Sequence, residues 1–175
     1  FGRNTIGGAV KYVTRKLGPQ RDVRVRATVG DAAADDGFVE EALWTGIGRA
    51  RSGAGAAIVG DPGRLRQVLV NLVGNAIKFN RDGGAVDVTV STDGEATTIA
   101  VRDTGVGIAA EDQEHVFERF FRASEDVAGN GLGLAISADI IKAHDGTLTV
   151  ASDPGVGSTF TIVLPAHAEL SLIHI

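Results

Sequence analysis

The stretch at positions 61–79 reads DPGRLRQVLVNLVGNAIKF. Its apolar residues recur every three or four positions, which is the spacing of one buried face on an α-helix. Asp61 is a favoured N-cap residue, and Pro62 is tolerated at the first helical position because its missing N–H would have no partner there. The pattern predicts a helix over residues 63–79 whose buried face contains Leu65, Val68, Leu69, Leu72, Val73, Ala76 and Phe79.

A narrow polar stripe follows a second face of this predicted helix. It contains Gln67, Asn71, Asn75 and Lys78, which lie close together at about 100° per residue. Such a stripe is often only a solvated face. Asn is a mediocre helix former, so two of them four residues apart beside a lysine favour a polar site. An amide oxygen can ligate Mg²⁺, which usually shares its sites with substrate phosphates.

Alternating apolar residues predict strands after this helix. Val86, Val88 and Val90 alternate, as do Ile99 and Val101, and glycine-containing turns bound the two runs. The pattern further predicts a short aromatic helix at 117–122, a helix from the glycines at 129–133 to about 143, and strands at 147–151 and 158–164. Strands and helices in this arrangement predict a two-layer α+β sandwich.

Asp103 ends the strand that carries Ile99 and Val101, and it shares their core-facing register. A buried carboxylate is costly unless it is hydrogen-bonded. Beside Gly105 it is compatible with an Asx-turn, which is an ordinary structural role. The functional alternative is an acceptor for a ligand's N–H, such as the amino group of a purine.

Three glycines, Gly129, Gly131 and Gly133, precede the second long helix. Glycine lets backbone N–H groups approach a ligand, and a helix N-terminus attracts an anion. No convincing strand precedes these glycines, which argues against a dinucleotide-binding fold, and the phosphate-binding loop motif Gly-x-x-x-x-Gly-Lys-Ser/Thr is absent from the sequence. Alone, the glycines are weak evidence for a phosphate site.

Taken together, five segments resemble the motifs of histidine kinases in the order of that family. Residues 71–79 resemble the N box, 103–108 the G1 box, 117–122 the F box, 129–134 the G2 box, and 155–160 the closing Gly-Ser-Thr-Phe element. The resemblance extends from Gly60 to about Pro165. It implies the Bergerat (GHKL) ATP-binding fold, an α+β two-layer sandwich whose sheet is mixed but mostly antiparallel, with helices on one face.

The resemblance also implies roles at the two ends of a bound ATP. Asp103 would accept a hydrogen bond from the adenine amino group, and Thr159 would act through a water near the base. Asn75 would ligate Mg²⁺, and Lys78 and Arg122 would neutralise phosphates. Asn75, Lys78 and Arg122 are therefore the catalytic candidates.

The same resemblance implies that residues 109–130 form an ATP lid with Phe120 and Phe121 as an apolar latch, and that Gly131 and Gly133 meet the phosphates with backbone N–H groups. The full set of expected nucleotide-binding residues is Asn71, Asn75, Lys78, Phe79, Asp103, Gly105, Gly107, Ile108, Phe120, Arg122, Gly131, Leu132, Gly133, Leu134 and Thr159.

The implied activity is transfer of the γ-phosphoryl group of Mg²⁺-ATP to a histidine on a separate dimerisation domain, with a response regulator downstream. No histidine here has the sequence context of an acceptor; His144, for example, ends a helix where a cation suits the helix dipole. Two alternatives remain. An ATPase of this fold would place a Glu one turn before Asn75, where Asn71 stands. A non-catalytic nucleotide-binding regulatory module is disfavoured by the complete set of phosphate and F-box residues.

Composition limits the possible partners. The net charge of −5 and the pI of about 5.3 argue against nucleic acid as a partner. The chain contains no Cys and no apolar run long enough to cross a bilayer, so we expect no membrane contact from it. The expected location is cytoplasmic, on a parent protein whose anchor, if it has one, is in the inner membrane.

Three regions are expected along the chain. Residues 1–57 are a poorly matched N-terminal segment with a strand at 23–29, a helix at 38–49 and a loop at 51–55. Residues 58–166 are the kinase-like ATP-binding domain. Residues 167–175 are a tail whose end resembles a translated sequencing adapter, and together with the absence of Met it suggests a piece of a longer protein.

Overall fold

The chain folds around one antiparallel sheet covered by helices. The structure, a computed structural model, describes residues 13–17, 22–28, 60–92, 95–123 and 130–165. In chain order the elements are β1 (Val13–Leu17), β2 (Asp22–Thr28), α1 (Pro62–Lys78), β3 (Ala85–Thr92), β4 (Ala96–Asp103), α2 (Ala110–Gln113), α3 (Gly133–Ala143), β5 (Thr147–Asp153) and β6 (Gly157–Pro165).

The six described strands form one sheet in the order β1-β2-β3-β4-β6-β5. Every described pair is antiparallel, so the expected mostly antiparallel sheet contains no parallel pair within the described residues. Strand β4 lies near its centre, where Val101 is opposite Val88 on one side and Phe160 on the other. The end of β4 is therefore held by neighbours on both sides.

Helix α1 forms as its sequence predicts and differs from the predicted range by one residue at each end. The Asp61 carboxylate accepts hydrogen bonds from the backbone N–H groups of Gly63 and Arg64, at 2.8 and 3.1 Å. These bonds satisfy two of the backbone donors that a helix start leaves without partners. The buried face consists of Leu65, Val68, Leu69, Leu72, Val73 and Ala76, and Phe79 is the C-cap residue.

The core lies between this helical face and one face of the sheet. Burial alternates along β3 and β4, as it must when one face of a strand packs inward. The sheet contributes Val86, Val88, Val90, Ile99, Val101, Phe160, Ile162 and Leu164, and α3 contributes Ile140 and Ile141. Burying one such side chain contributes roughly 1.5–3 kcal/mol relative to leaving it exposed, and the two-layer α+β sandwich is confirmed.

The N-terminal region contains one strand more than the sequence predicted. The strand expected at 23–29 is β2, which pairs with β3. Strand β1 pairs with β2 and extends the sheet by one further strand. The helix expected at 38–49 and the loop at 51–55 lie outside the described residues.

The short aromatic helix predicted at 117–122 is wrong. The helix in this region is α2, and the chain then passes through turns. Phe120 has a φ of 68°, which no α-helix accommodates, and its backbone N–H donates to the Gly131 carbonyl at 2.8 Å. A tertiary hydrogen bond to the glycine-rich segment therefore replaces the local helix.

His144 connects the end of α3 to the start of α1. Its Nδ1 lies 2.8 Å from the Ile140 carbonyl oxygen, and its Nε2 accepts the Asp61 backbone N–H at 3.0 Å. A ring that donates from Nδ1 and accepts at Nε2 carries a single proton and is uncharged. The cationic helix-end role expected from the sequence is therefore wrong, and the imidazole acts as a neutral bridge between the helices.

We predict that His144→Ala lowers the free energy of unfolding by about 1–2 kcal/mol, because two hydrogen bonds are lost and the Asp61 N–H is left without its partner. Urea denaturation followed by circular dichroism measures the change. Lys142→Ala, an exposed change in the last turn of the same helix, is the control and should alter stability by less than about 0.5 kcal/mol. Equal effects of the two substitutions would contradict the bridge.

Candidate functional site

A cavity of about 540 Å³ opens where α1, the end of β4, the start of α3 and the 109–123 segment meet. This volume lies within the usual range for small-molecule sites. Most of the predicted site residues line it: Asn71, Asn75, Lys78, Phe79, Asp103, Gly107, Ile108, Arg122, Gly131, Gly133 and Leu134. Residues that are far apart in sequence thus surround one space.

Asp103 occupies the inner part of this cavity. Its Oδ1 accepts the backbone N–H of Gly105 at 2.8 Å and that of Ser158 at 3.1 Å. Desolvation by burial raises the pKa of the Asp103 carboxyl, and these two hydrogen bonds oppose the rise. Both bonds go to Oδ1, so Oδ2 makes no hydrogen bond within the described residues. The carboxylate is therefore held in place through Oδ1 and presents Oδ2 as an acceptor.

The polar stripe of α1 forms a second wall. Asn71, Asn75 and Lys78 all line the cavity because residues three and four apart share a helix face. The Lys78 ammonium lies 5.1 Å from the centroid of the Phe79 ring, within cation–π range. Gln67, the first residue of the stripe, accepts a hydrogen bond from Arg64 at 3.3 Å and does not line the cavity.

The glycine-rich start of α3 also lines the cavity, beside Asn71 of the polar stripe. Gly131 has a φ of 64°, a conformation that favours glycine, and a Cβ there would lie 2.7 Å from the backbone of Phe120. A Cβ at Gly133 would overlap the amide oxygen of Asn71. Both positions therefore require glycine, because the Phe120 backbone and the Asn71 side chain approach them closely. This close packing places the N-terminus of α3 beside the cavity.

The described part of the predicted lid is packed against the domain. Gln113 Nε2 donates to the carbonyls of Ile108 and Ser152 at 3.0 and 2.8 Å. The Phe117 ring packs edge-on against Phe160 with centroids 6.3 Å apart. Arg119 forms an exposed ion pair with Asp139 on α3 at 2.9 Å. The remaining part of the predicted lid, residues 124–129, is not described.

Only one residue of the predicted aromatic latch lines the cavity. Phe121 lines it and packs near His115, with ring centroids 5.8 Å apart. Phe120 is 72% exposed, because its positive φ turns the side chain outward. Phe120 therefore does not line the cavity, and its role in a lid stays a prediction.

Three other predicted residues lie outside the cavity. Gly105 supports Asp103 through its N–H, and Leu132 is the N-cap of α3. Thr159 lines a second cavity of about 230 Å³, which shares Asp103 and Ser158 with the first. Side chains alternate along β6, so Thr159 faces away from the layer that buries its neighbour Phe160.

Sequence reasoning missed several lining residues. Ser158 and Phe160 share the inward register of β6 that excludes Thr159, so strand alternation was the signal that could have found them. Asp112 and Val116 come from the segment after β4, where no periodic pattern gave their orientation. The other missed residues are Ala76, Val106, Ala109, Ala123 and Asn130, and Phe121 was expected as part of the latch.

Similarity to known proteins is extensive. The family model for "Histidine kinase-, DNA gyrase B-, and HSP90-like ATPase" matches residues 60–168. The sensor-like histidine kinase SenX3 of Mycobacterium bovis is 42% identical over 164 residues, which are 88% of this chain and 38% of that protein. The solved structure of the mycobacterial sensor histidine kinase MprB has a TM-score of 0.62 at 31% identity, covering 74% of this chain and 93% of that one.

A second solved structure, full-length ShkA in complex with AMPPNP, has a TM-score of 0.60 at 33% identity and covers 78% of this chain and 31% of that one. The chain belongs to the family of histidine kinase-, DNA gyrase B- and HSP90-like ATPases. Its fold and its relatives are those of the catalytic ATPase domain of sensor histidine kinases, so the resemblance seen in the motifs is confirmed. The chain spans about 38% of the length of SenX3.

No helix within the described ranges combines the length and apolar character needed to cross a membrane.

We predict that Asp103→Asn is at least as stable as the wild type at pH 7, because it removes a buried charge and keeps an oxygen for the Gly105 and Ser158 N–H groups. A carboxyl whose folded-state pKa is raised stabilises the fold in its protonated form and loses that contribution as pH rises. The stability of the wild type relative to the variant should therefore increase as pH falls toward 3.8. Urea denaturation of both proteins across this range measures it, and a constant difference would contradict the prediction.

Proposed function

We propose that this domain binds ATP with Mg²⁺ and transfers the γ-phosphoryl group to a histidine on a separate dimerisation domain. The observation that carries the proposal is the buried Asp103 carboxylate, whose Oδ1 is fixed by two backbone N–H groups while Oδ2 remains for a ligand. Lys78 and Arg122 line the same cavity. One cavity thus contains an acceptor for a purine amino group and two positively charged side chains that can neutralise phosphates.

The adenine ring fits the Asp103 end by its hydrogen-bonding groups. Its exocyclic amino group is a donor and suits Oδ2, whereas guanine has a carbonyl oxygen at the corresponding place and would face the carboxylate with a second acceptor. The surrounding lining is largely apolar, with Ile108, Leu134 and Phe160 among its members. A flat ring with one donor edge is the ligand that this combination favours.

Ser158 is better placed than Thr159 to support the base. Its backbone N–H already binds Asp103, and its side chain lines the main cavity. Thr159 faces the other side of the sheet, so a water-mediated contact with the base is assigned to Ser158 in this proposal.

The phosphates fit the other end of the cavity. Lys78 and Arg122 supply positive charge, and the N-terminus of α3 directs backbone N–H groups toward the same space through Gly131 and Gly133. Helix N-termini of this kind favour anions because the aligned peptide dipoles and unpaired N–H groups point at them. The relative ShkA was solved with AMPPNP, an ATP analogue, which supports ATP as the ligand here.

The residues present also fit Mg²⁺ in a site completed by phosphates. No group of three or more His, Asp or Glu side chains that could hold a metal occurs within the described residues. Asn75 lines the cavity, and its side chain makes no hydrogen bond to the described part of the chain, so its amide oxygen suits a hard cation. When bound, Mg²⁺ would neutralise charge on the phosphate oxygens.

The proposed reaction is an in-line transfer. The bond from the γ-phosphorus to the bridging oxygen breaks, a bond from phosphorus to an imidazole nitrogen forms, ADP leaves, and the imidazole proton passes to solvent or a base on the acceptor domain. Lys78 and Arg122 stabilise the charge that develops on the transferred group. Hydrolysis is not favoured, because Asn71 stands where an ATPase of this fold has a Glu, and an amide cannot activate water.

Neither described histidine suits the acceptor role. Both ring nitrogens of His144 are engaged with Ile140 and Asp61. His115 is exposed, and its Nδ1 is engaged with Glu118 Oε1 at 2.8 Å, a contact that raises the pKa of the ring. The proposed partners are therefore a helical histidine domain of the parent kinase and, after it, a response regulator. A cytoplasmic location on that parent protein is part of the same proposal.

We predict that Asp103→Asn weakens ATP binding by roughly 10- to 100-fold, the range expected for a lost hydrogen bond to a charged group. The Gly105 and Ser158 N–H groups hold the amide oxygen, which turns the NH₂ group toward the adenine amino group. The wild type should bind ATP in preference to GTP, and the variant should show a smaller preference. Titration with fluorescent ATP and GTP analogues measures both, and unchanged ATP affinity would refute the adenine assignment.

We predict that the chain alone neither phosphorylates itself nor releases phosphate rapidly from ATP, yet phosphorylates the helical histidine domain of its parent when that domain is added in trans. The acceptor is supplied from outside, and Asn71 provides no base for water. Radiolabelled ATP, with and without the added domain, tests this. Acid-labile label on the chain alone would contradict the separate acceptor, rapid phosphate release would favour an ATPase, and no reaction in either tube, with ATP binding intact, would favour a nucleotide-binding regulatory module.

A further inference from the structure

A hydrogen-bonded chain joins the polar face of α1 to the first turn of α3. Asn71 Nδ2 donates to Ser137 Oγ at 3.0 Å, and Ser137 Oγ donates to the Gly133 carbonyl at 2.9 Å. Ser137 is buried, with 2% of its surface exposed. Neither the family motifs nor the lining of the cavity includes Ser137.

The hydroxyl of Ser137 fixes which way the Asn71 amide faces. A hydroxyl has one proton, and here it is donated to the Gly133 carbonyl. Ser137 Oγ can then only accept from Asn71, so the NH₂ group of Asn71 must face Ser137 and its Oδ1 must face away. The absence of a Cβ at Gly133 leaves the space that this oxygen occupies.

The fixed orientation restricts what Asn71 can bind. Asn71 lines the cavity. One of its two Nδ2 protons is donated to Ser137, so Nδ2 is fixed beside α3 and Oδ1 is the amide atom turned away from Ser137. An acceptor repels a phosphate oxygen and attracts a cation or a cation-bound water. Asn75 lies one helical turn further along the same face and offers a second amide oxygen.

We infer that Ser137 is a positioning residue that holds the Asn71 oxygen toward the Mg²⁺ of the nucleotide complex, so that Asn71 meets the cation through Oδ1. This inference rests on the proposed ATP site. The pair of amide oxygens, one oriented by Ser137, forms the protein's side of the cation site.

The test compares nucleotide affinity with Mg²⁺ and with EDTA in the wild type and in Ser137→Ala, using a fluorescent ATP analogue. Losing the acceptor for Nδ2 frees the Asn71 amide to rotate, so the factor by which Mg²⁺ strengthens binding should fall about three- to tenfold, the effect of one hydrogen bond. Affinity in EDTA should change by less than about twofold. A substitution that only loosens α3 would weaken binding equally in both conditions, and that result would overturn the inference.

Asn71→Ala provides the matched background. There Ser137→Ala still removes the bond to the Gly133 carbonyl, but it has no amide left to orient, so it should cause no further loss of the Mg²⁺ effect. A loss that persists in this background would also overturn the inference. Ser137→Cys replaces Ser137→Ala in the test if the alanine variant folds poorly. Cysteine is close to serine in size, but its thiol is a much weaker acceptor, so the Mg²⁺ effect should fall as in Ser137→Ala.

A nucleotide-free measurement separates this inference from the proposed function. The side-chain amide protons of Asn71 should show a dispersed, protected NMR signal that Ser137→Ala shifts toward the values of a free amide. An unchanged signal would overturn the inference even with nucleotide binding intact. If the wild type itself shows no effect of Mg²⁺ on nucleotide affinity, the proposed metal site fails, and the cation role of Asn71 fails with it.

Discussion

The carboxylate of Asp103 is the constraint around which this domain is arranged. It ends β4, near the centre of the sheet. Its Oδ1 accepts one hydrogen bond from an N–H in the loop that follows β4 and one from an N–H at the start of β6. An acidic group in that position is stable only with such partners. The same bonds therefore fix the loop after β4 and the start of β6, and they leave Oδ2 without a hydrogen bond within the described residues. The Asx-turn is thus present, and in the proposed function it also positions the acceptor for the ligand.

The two main helices are joined at both ends of their contact. His144 connects the end of α3 to the start of α1, and Asn71 with Ser137 connects the middle of α1 to the start of α3. Helix packing through apolar side chains alone permits small sliding movements. Two directional polar connections restrict such sliding, so the polar stripe and the glycine-rich helix start keep a fixed separation. That separation defines the width of the proposed phosphate region.

The sequence predicted the periodic parts of this fold well, because periodicity reports directly on a buried face. The limits of α1, the alternation in β3 and β4, and the inward placement of Asp103 all follow from it. Prediction failed where a tertiary contact determines the backbone. Phe120 leaves the helical region to bond Gly131, and β1 has pairing with β2 as its main support. The alternation of β6 places Ser158 and Phe160 in the main cavity and Thr159 outside it, which the motif alone did not indicate.

The backbone bond between Phe120 and Gly131 closes a loop at its base. The ten residues between them begin and end at positions held by the folded domain. The entropy of closing a flexible loop grows only with the logarithm of its length, by about 0.6 kcal/mol for each doubling. This connection should therefore tolerate insertions, provided that Phe121, Arg122, Ala123 and Asn130, which line the cavity, are kept. For protein engineering, it is a natural place to splice in a reporter domain.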